Sequence, residues 1–588
     1  MHSSVLRQLA VALAGLSSTA AGMGMTALRQ ELKLAAEMGI NPDSMLKQQK
    51  SVHTLANPGD SNKVVAKTAS IPIDHNDVSV GTYANRYWVN DQYYQKGGPV
   101  FVYDVGEAGA ESTAKQFLGN STSFLSEMLK EFGGIGIAWE HRYYGQSLPF
   151  NVSVDTPPEE FQYLTNKQAL ADIPFFAQNF TLDGHDENLT PDTKPWIMIG
   201  GSYAGMRAAF TRDAYPDTIF ASYASSAPVE ARVNMSMYFD QVYDGMVANG
   251  YSNCTKDIKA ALEYIDEELS ANASSAAAIK KGFFGDGAET NSNGDFTAAL
   301  GGIFGYFQSY GLGGGEGGLG SFCQHLETDP DTLQSAGPGG FAPVRGNKYV
   351  AERFAAWPVF VDLINFNYHT NCQQRDSTEP LECALNPLAT DPDTISWTWQ
   401  YCTEWGYYQS NNVGPHSLLS QFQTLEYMQY ICNRQFPEAV QRGLLPKEPQ
   451  VHATNSQTGG WTIRPSNVYW SGGQFDPWRT LSPLATEDGA PQGVTFTTDV
   501  PECGVETEEN TLFGYILENA EHCFDFVSGS SAGEISRGYF HKALKAWLPC
   551  FKAQTTINYR DRSGDHRNDQ GRPGKGRATG NRWDRRSH

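Results

Sequence analysis

No two of the nine cysteines stand in a C-x-x-C pair, which argues against zinc-ribbon and thioredoxin-like chemistry. Cationic residues are scarce: 43 Lys and Arg against 65 Asp and Glu leave a net charge of −22. Nucleic acid is therefore not expected as a partner of the body of the chain. No apolar stretch read here is long enough to span a bilayer. The glycine-crowded segment from Gly282 to Gly320 does not end in the Lys-Ser/Thr pair of a phosphate-binding loop, so it reads as a flexible loop. No internal repeat is evident, and nothing calls for a metal or a cofactor.

What is present points to export. Met1 to about Gly22 has Arg7, a short apolar core from Leu9 to Leu16, and the small residues Ser18-Thr19-Ala20-Ala21, the pattern of a secretory signal. Seven N-x-S/T sequons follow, at Asn120, Asn151, Asn179, Asn188, Asn234, Asn253 and Asn272. In an exported protein the cysteines read as disulfides with one left over. Cys372 with Cys383, Cys402 with Cys432 and Cys503 with Cys523 are plausible pairs. The expected location is secreted or vacuolar/lysosomal.

The 588 residues suit one large domain with a sizeable insertion, or two domains. Short apolar runs at Thr82 to Val89, Pro99 to Tyr103, Ile135 to Trp139, Ile197 to Ile199 and Ile219 to Tyr223 alternate with helical stretches. One such helix is Ser123 to Phe132; another is Asn166 to Ile173, which Pro174 should end or kink. Strands resume at Val468 to Trp470 and Val494 to Thr497. The pattern predicts an α/β fold with a mostly parallel sheet covered on both faces. Residues 230–445 have another texture and read as a mainly helical cap insertion. The expected order is a signal over 1–22, an N-terminal arm over 23–60, core over 61–229, cap, core again over 446–555, and a disordered basic tail over 556–588. The helical part of the arm, Gln30 to Lys50, reads as a pro-region or a mobile arm.

Gly200-Gly201-Ser202-Tyr203-Ala204-Gly205 lies between the apolar run Pro195 to Ile199 and a helix-like start at Met206. Strand, glycine-crowded turn with a serine, then helix is the pattern of a nucleophile elbow. Ser202 is thus the candidate nucleophile. A serine hydroxyl needs a base, usually histidine oriented by a carboxylate. In hydrolases of this kind the chain order is serine, acid, histidine. Asp476, in Gly472-Gly473-Gln474-Phe475-Asp476-Pro477-Trp478, and His522, in Glu521-His522-Cys523-Phe524-Asp525, satisfy that order after late apolar runs.

Five blocks resemble the serine peptidase family that includes lysosomal Pro-X carboxypeptidase and dipeptidyl peptidase II. They are Gly97-Gly98-Pro99-Val100, Glu140-His141-Arg142-Tyr143-Tyr144-Gly145, the elbow, Asp476-Pro477-Trp478, and His522 with Asp525. The resemblance runs from about residue 70 to 550. It implies an α/β-hydrolase core with a helical insertion between serine and aspartate. It further implies Ser202 as nucleophile, Asp476 as orienting acid, His522 as general base, and cleavage of peptides after proline, often near a chain end. Met206, one helical turn past Ser202, Trp478 and, from the cap, Tyr407 resemble the apolar residues of the family's proline pocket.

The Tyr203 N–H directly follows the nucleophile and is one expected oxyanion donor. The second is expected near Gly106-Glu107, where Asp104-Val105-Gly106-Glu107-Ala108-Gly109 departs from the family's more usual Gly-Asn-Glu-Gly. Glu107 and Glu404 are alternative partners for a substrate amine. His141 and Arg142 read as loop scaffolding. Two other readings stand beside the proline-directed peptidase: a general acidic serine carboxypeptidase or esterase, and a non-catalytic hydrolase-fold binding protein. A homodimer is compatible with the chain, and no membrane span is expected.

Overall fold

The computed structural model describes residues 32, 33, 35–48, 64–375, 378–527 and 530–552. The signal over 1–22 and the basic tail over 556–588 lie outside the described residues.

Nine strands form one sheet: β1 (Ala66–Pro72), β2 (Thr82–Asn90), β3 (Val100–Asp104), β4 (Ile135–Trp139), β5 (Trp196–Gly201), β6 (Ala221–Ser225), β9 (Val468–Gly473), β10 (Thr495–Thr497) and β11 (Thr511–Leu517). Their order is β1-β2-β4-β3-β5-β6-β9-β11-β10. The pairs β1·β2 and β2·β4 are antiparallel, and the remaining neighbours are parallel. A second, two-stranded sheet joins β7 (Arg232–Asn234) to β8 (Gly406–Tyr408).

Strands β3, β4 and β5 are apolar along their length, apart from Asp104 at the end of β3, because both faces are covered. Val100, Val102, Ile135, Ile137, Trp196 and Met198 enter the core on one face. Their sequence neighbours Phe101, Tyr103, Ala138, Ile197 and Ile199 enter the core on the other. This is the two-residue alternation of a strand, with apolar side chains on both faces. With the elbow between β5 and its helix, this arrangement is an α/β-hydrolase core.

Local signals set the helices. Ser123 caps the helix Phe124–Phe132 by accepting from Ser126 N at 3.1 Å, and Gly133 ends it in the left-handed region at φ 60°. Pro174 does not end the next helix, which runs from Asn166 to Gln178. Ile173, Phe176 and Ala177 are buried under the sheet there, and that packing carries the helix past the missing donor. The 282–320 stretch is not an open loop either. It folds as the short helices Asn293–Leu300, Phe307–Tyr310 and Leu319–Leu326, with 3-10 turns between them. Phe296, Ile303, Phe304 and Phe322 bury it in the largest core.

Among the described residues, no helix is long and apolar enough to cross a membrane. Disulfides join Cys254 to Cys323, Cys372 to Cys383, Cys402 to Cys432 and Cys503 to Cys550. The expected Cys503–Cys523 pair is not formed: Cys523 is buried with a free thiol, and Cys550, at the end of the last helix, reaches Cys503 instead.

Candidate active site

Strand β5 ends at Gly201 and the helix Tyr203–Ala214 follows, so Ser202 alone makes the connection. It holds φ 65° and ψ −130°, a backbone conformation that costs a non-glycine residue about 1–3 kcal/mol. Surrounding bonds hold it there: Ser202 N–H donates to Ser225 O at 2.9 Å, and Met206 N–H to Ser202 O at 3.1 Å. The close approach of strand and helix excludes side chains at two neighbours. A Cβ on Gly200 would lie 2.2 Å from Ala204 O, and one on Gly205 would lie 2.5 Å from Ser225 O.

Asp476 and His522 follow β9 and β11, at the same end of the parallel sheet as Ser202. His522 Nδ1–H donates to Asp476 Oδ1 at 2.8 Å, with both side chains fully buried. Asp476 Oδ1 also accepts from Trp478 N at 2.9 Å, so the turn after β9 fixes the carboxylate. His522 N–H donates to Gln308 O at 3.0 Å. Its other ring nitrogen, Nε2, has no hydrogen bond among the described residues. Burial opposes a charged ring, but the Asp476 carboxylate outweighs it and raises the His522 pKa above the ordinary imidazole range. The elbow abuts this turn: a Cβ on Gly201 would lie 2.9 Å from Cys523 Sγ. Asp525 anchors the same turn by accepting from Tyr223 Oη at 2.6 Å and Ser225 Oγ at 2.5 Å.

Tyr203 opens the elbow helix, so its N–H has no intrahelical acceptor. Gly106 differs from expectation as an oxyanion donor. Its N–H donates to Asp104 Oδ1 at 3.1 Å, within its own loop. Asp104 in turn is paired with Arg207 of the elbow helix at 2.6 Å, both fully buried. Glu107, one residue on, lines a small cavity together with Ser202, Tyr203, Tyr407 and Trp478.

The Glu140–Gly145 block builds the floor beneath this loop. Glu140 accepts from Arg86 Nε at 2.8 Å and Nη2 at 2.7 Å, from Ala110 N at 2.8 Å and from Ser147 Oγ at 2.8 Å. Arg142 clamps Asp172 through Nε at 2.8 Å and Nη2 at 2.6 Å, and also reaches the carbonyls of Ile73, Pro72 and Tyr163. His141 sits between Arg142 O at 2.6 Å and Tyr203 Oη at 3.0 Å. Burial, with Arg207 nearby, holds its pKa well below the usual value, so it is a neutral strut. From the cap side, Asp393 accepts from Gly109 N and Gly145 N, each at 2.7 Å.

The three expected pocket residues separate. Trp478 and Tyr407 line the cavity and meet edge to face at 5.2 Å. Met206 is fully buried behind them and is not a wall; Tyr407 Oη contacts its Sδ at 3.6 Å and donates to Pro228 O at 2.6 Å. A larger cavity of about 230 Å³ adjoins through Trp397, Tyr407 and Trp478. Glu404 is not among the residues that line the cavity, and it accepts from Asn166 N at 2.8 Å. Sequence reasoning missed Gln308, Trp397 and Lys33, which also line the Ser202 cavity. Gln308 lies in the stretch read as a loop, and no local motif marks any of the three.

Of the sequon asparagines, Asn151, Asn179, Asn188, Asn234 and Asn272 are exposed and Asn120 partly so. Asn253 lies in a helix, and its side-chain nitrogen donates to Glu327 Oε2 at 2.8 Å. No cluster able to hold a metal ion occurs among the described residues.

Residues 72–325 and 341–496 match the serine carboxypeptidase S28 family; the match includes Ser202 and Asp476 and ends before His522. A probable extracellular serine carboxypeptidase of Arthroderma benhamiae is 28% identical over 514 residues, covering 81% of this chain and 68% of the relative. The human thymus-specific serine protease is 27% identical over 493 residues, covering 80% and 84%. Human lysosomal Pro-X carboxypeptidase is 35% identical over 187 residues, covering 30% and 36%. With the family match spanning more than half of its residues, this chain belongs to the serine carboxypeptidase S28 family.

Proposed function

We propose that the chain is a secreted or vacuolar/lysosomal serine peptidase that hydrolyses peptide bonds after proline through an acyl-enzyme. One observation carries the reading: a serine in a strained strand-to-helix turn, at the same end of the sheet as a buried histidine bonded to an aspartate at 2.8 Å. In the first step Ser202 Oγ attacks the scissile carbonyl carbon while Nε2 of His522, in the neutral form of the ring, takes its proton. The N–H groups of Tyr203 and Glu107 receive the oxyanion. As the C–N bond breaks, His522 returns the proton to the leaving amine. Water then adds to the ester with His522 again as base, which releases the acid and restores Ser202. Asp476 keeps the ring oriented and stabilises its charged form throughout.

Support for proline comes from the walls beside Ser202. Trp478, Tyr407 and Trp397 suit a compact apolar ring rather than a charged side chain. One relative is also named for Pro-X carboxypeptidase activity. A general serine carboxypeptidase is the second reading, favoured by the name of the relative from Arthroderma benhamiae.

Ser202→Ala is expected to abolish hydrolysis of proline-containing peptides with the melting curve unchanged. Retained hydrolysis by that variant would sink the triad. Comparison of matched peptides with proline or alanine before the scissile bond, each free or blocked at either end, separates the two readings. Equal rates for proline and alanine favour the general carboxypeptidase, and product masses give the end that is attacked.

A further inference from the structure

A piece of the chain far from the elbow in sequence already sits in the cleft. Lys33 lines the Ser202 cavity, and its Nζ donates to Gly201 O at 3.3 Å. A second small cavity next to it is bounded by Lys33, Glu37, Tyr103, Glu107 and Thr113. Glu107 is 7% exposed, and its Oε2 has no hydrogen-bond partner among the described residues. Burial works against the Lys33 charge, but Cys523, Glu37, Glu107 and Asp104 together hold it protonated.

The rest of this segment is seated as firmly. Leu32 and Ala35 are fully buried and Met45 is 1% exposed, in the core cluster that also holds Tyr203, Met206, Tyr407 and Trp478. Polar contacts pin its far end to the 306–317 region: Asp43 Oδ1 accepts from Glu316 N at 2.8 Å, Tyr310 Oη donates to Ile40 O at 3.2 Å, and Lys47 pairs with Glu316 at 2.9 Å. With the segment in place, Ser202 is only 7% exposed.

We propose that the arm formed by residues 32, 33 and 35–48 is an internal blocker of the catalytic cleft, in which Lys33 fills a position that Glu107 otherwise offers to a cationic group of the substrate. The proposal rests on the serine-peptidase reading of the cleft. It names the substrate chemistry as an ammonium, either a free N-terminus or a basic side chain, close to the scissile bond. Glu107 is thereby favoured over Glu404 as the acid that meets it. Displacement of the segment exposes Ser202 and a carboxylate together, and a neutral substrate competes less well than a cationic one for the place of Lys33.

The tests use the full chain. Brief treatment with acetic anhydride and peptide mass mapping is expected to modify Lys33 at least tenfold more slowly than Lys348, whose side chain is 67% exposed. Equal rates overturn the proposal, whether or not the chain is an active peptidase. A fluorophosphonate then reads the cleft. Lys33→Glu, which sets a third acid beside Glu37 and Glu107, and Met45→Asp, which puts a charge on the buried face, are each expected to raise Ser202 labelling at least tenfold. Unchanged labelling in both overturns the blocker. A synthetic peptide of residues 31–48 is expected to slow labelling of the Lys33→Glu chain, and the same peptide with norleucine at position 33 to be at least tenfold weaker. Equal potency of the two peptides overturns the cationic position. No labelling in any form, with Lys33 still protected, sinks the serine-peptidase reading and leaves the seating of the segment supported.

Discussion

Asp476 and His522 share a 2.8 Å hydrogen bond with no side-chain exposure at either residue. The carboxylate favours the tautomer with the proton on Nδ1, which leaves Nε2 as the nitrogen proposed to act on Ser202. Asp476→Asn removes both the charge and this preference. The expected loss is about 10⁴-fold in kcat, with KM little changed. Steady-state kinetics on a proline peptide checks it, with circular dichroism to establish that the fold is kept. A loss below tenfold would place the orienting acid elsewhere.

Asp172 is the counter-charge of a fully buried Arg142, and its pKa is about 2: burial raises it, but the guanidinium beside it prevails. Asp172→Asn leaves that guanidinium unpaired in the core, which costs about 3–5 kcal/mol. Denaturant unfolding is the measurement, and a change under about 1 kcal/mol would contradict the buried pair. Because the folded pKa lies below the unfolded value, the stabilisation is present above about pH 4 and is lost as the pH falls toward 2.

Burial raises three other carboxyls, Glu404, Asp393 and Glu521, each to about 7. Their folded pKa values lie above the unfolded ones, so the fold holds protons that the unfolded chain releases. Their stabilising contribution is fully present near pH 4 and is lost as the pH rises through about 7. The melting temperature is expected to be higher at pH 5 than at pH 7.5. Glu404→Gln, whose amide oxygen can still accept from Asn166 N, is expected to stabilise at pH 7.5 and to change little at pH 5. Scanning calorimetry at the two pH values decides it, and an equal effect at both would refute the assignment.

Cys523 is buried and unpaired, next to His522, while Cys503 is bonded to Cys550. Iodoacetamide is expected to leave the native chain unmodified and to alkylate Cys523 once denaturant is added. Peptide mapping without reduction is expected to recover the Cys503–Cys550 pair. A recovered Cys503–Cys523 peptide would overturn the connectivity.

Much of the core was legible because its signals are local. Ile135 to Trp139 is an unbroken apolar run of strand length, and the structure has a strand over those residues. The helix read over Ser123 to Phe132 is found over Phe124–Phe132, with Ser123 as its cap. Edge strand β1 was not legible: Ala66-Lys67-Thr68-Ala69-Ser70 carries little apolar pattern, and pairing with β2 along one edge is what orders it. The glycine-rich stretch misled for the converse reason. Its backbone is permissive in isolation, and its aromatics join a core through residues outside the stretch, as Phe304 does against Phe239 and Phe322 against Phe354.

The sequence by itself determined the elbow, because a serine forced to positive φ between a strand and a helix demands the small residues Gly200 and Gly205 that stand there. It also determined the chain order of Ser202, Asp476 and His522, and the apolar runs that carry each to a strand end. Only the tertiary structure decided which side chains share the cleft. It moved Met206 behind the wall, paired Asp104 with Arg207, and brought Gln308 and Lys33 to the Ser202 cavity. The physical reason is range: strand and turn preferences act over a few residues, whereas the partner of a buried charge or an aromatic wall is set by packing between segments hundreds of residues apart.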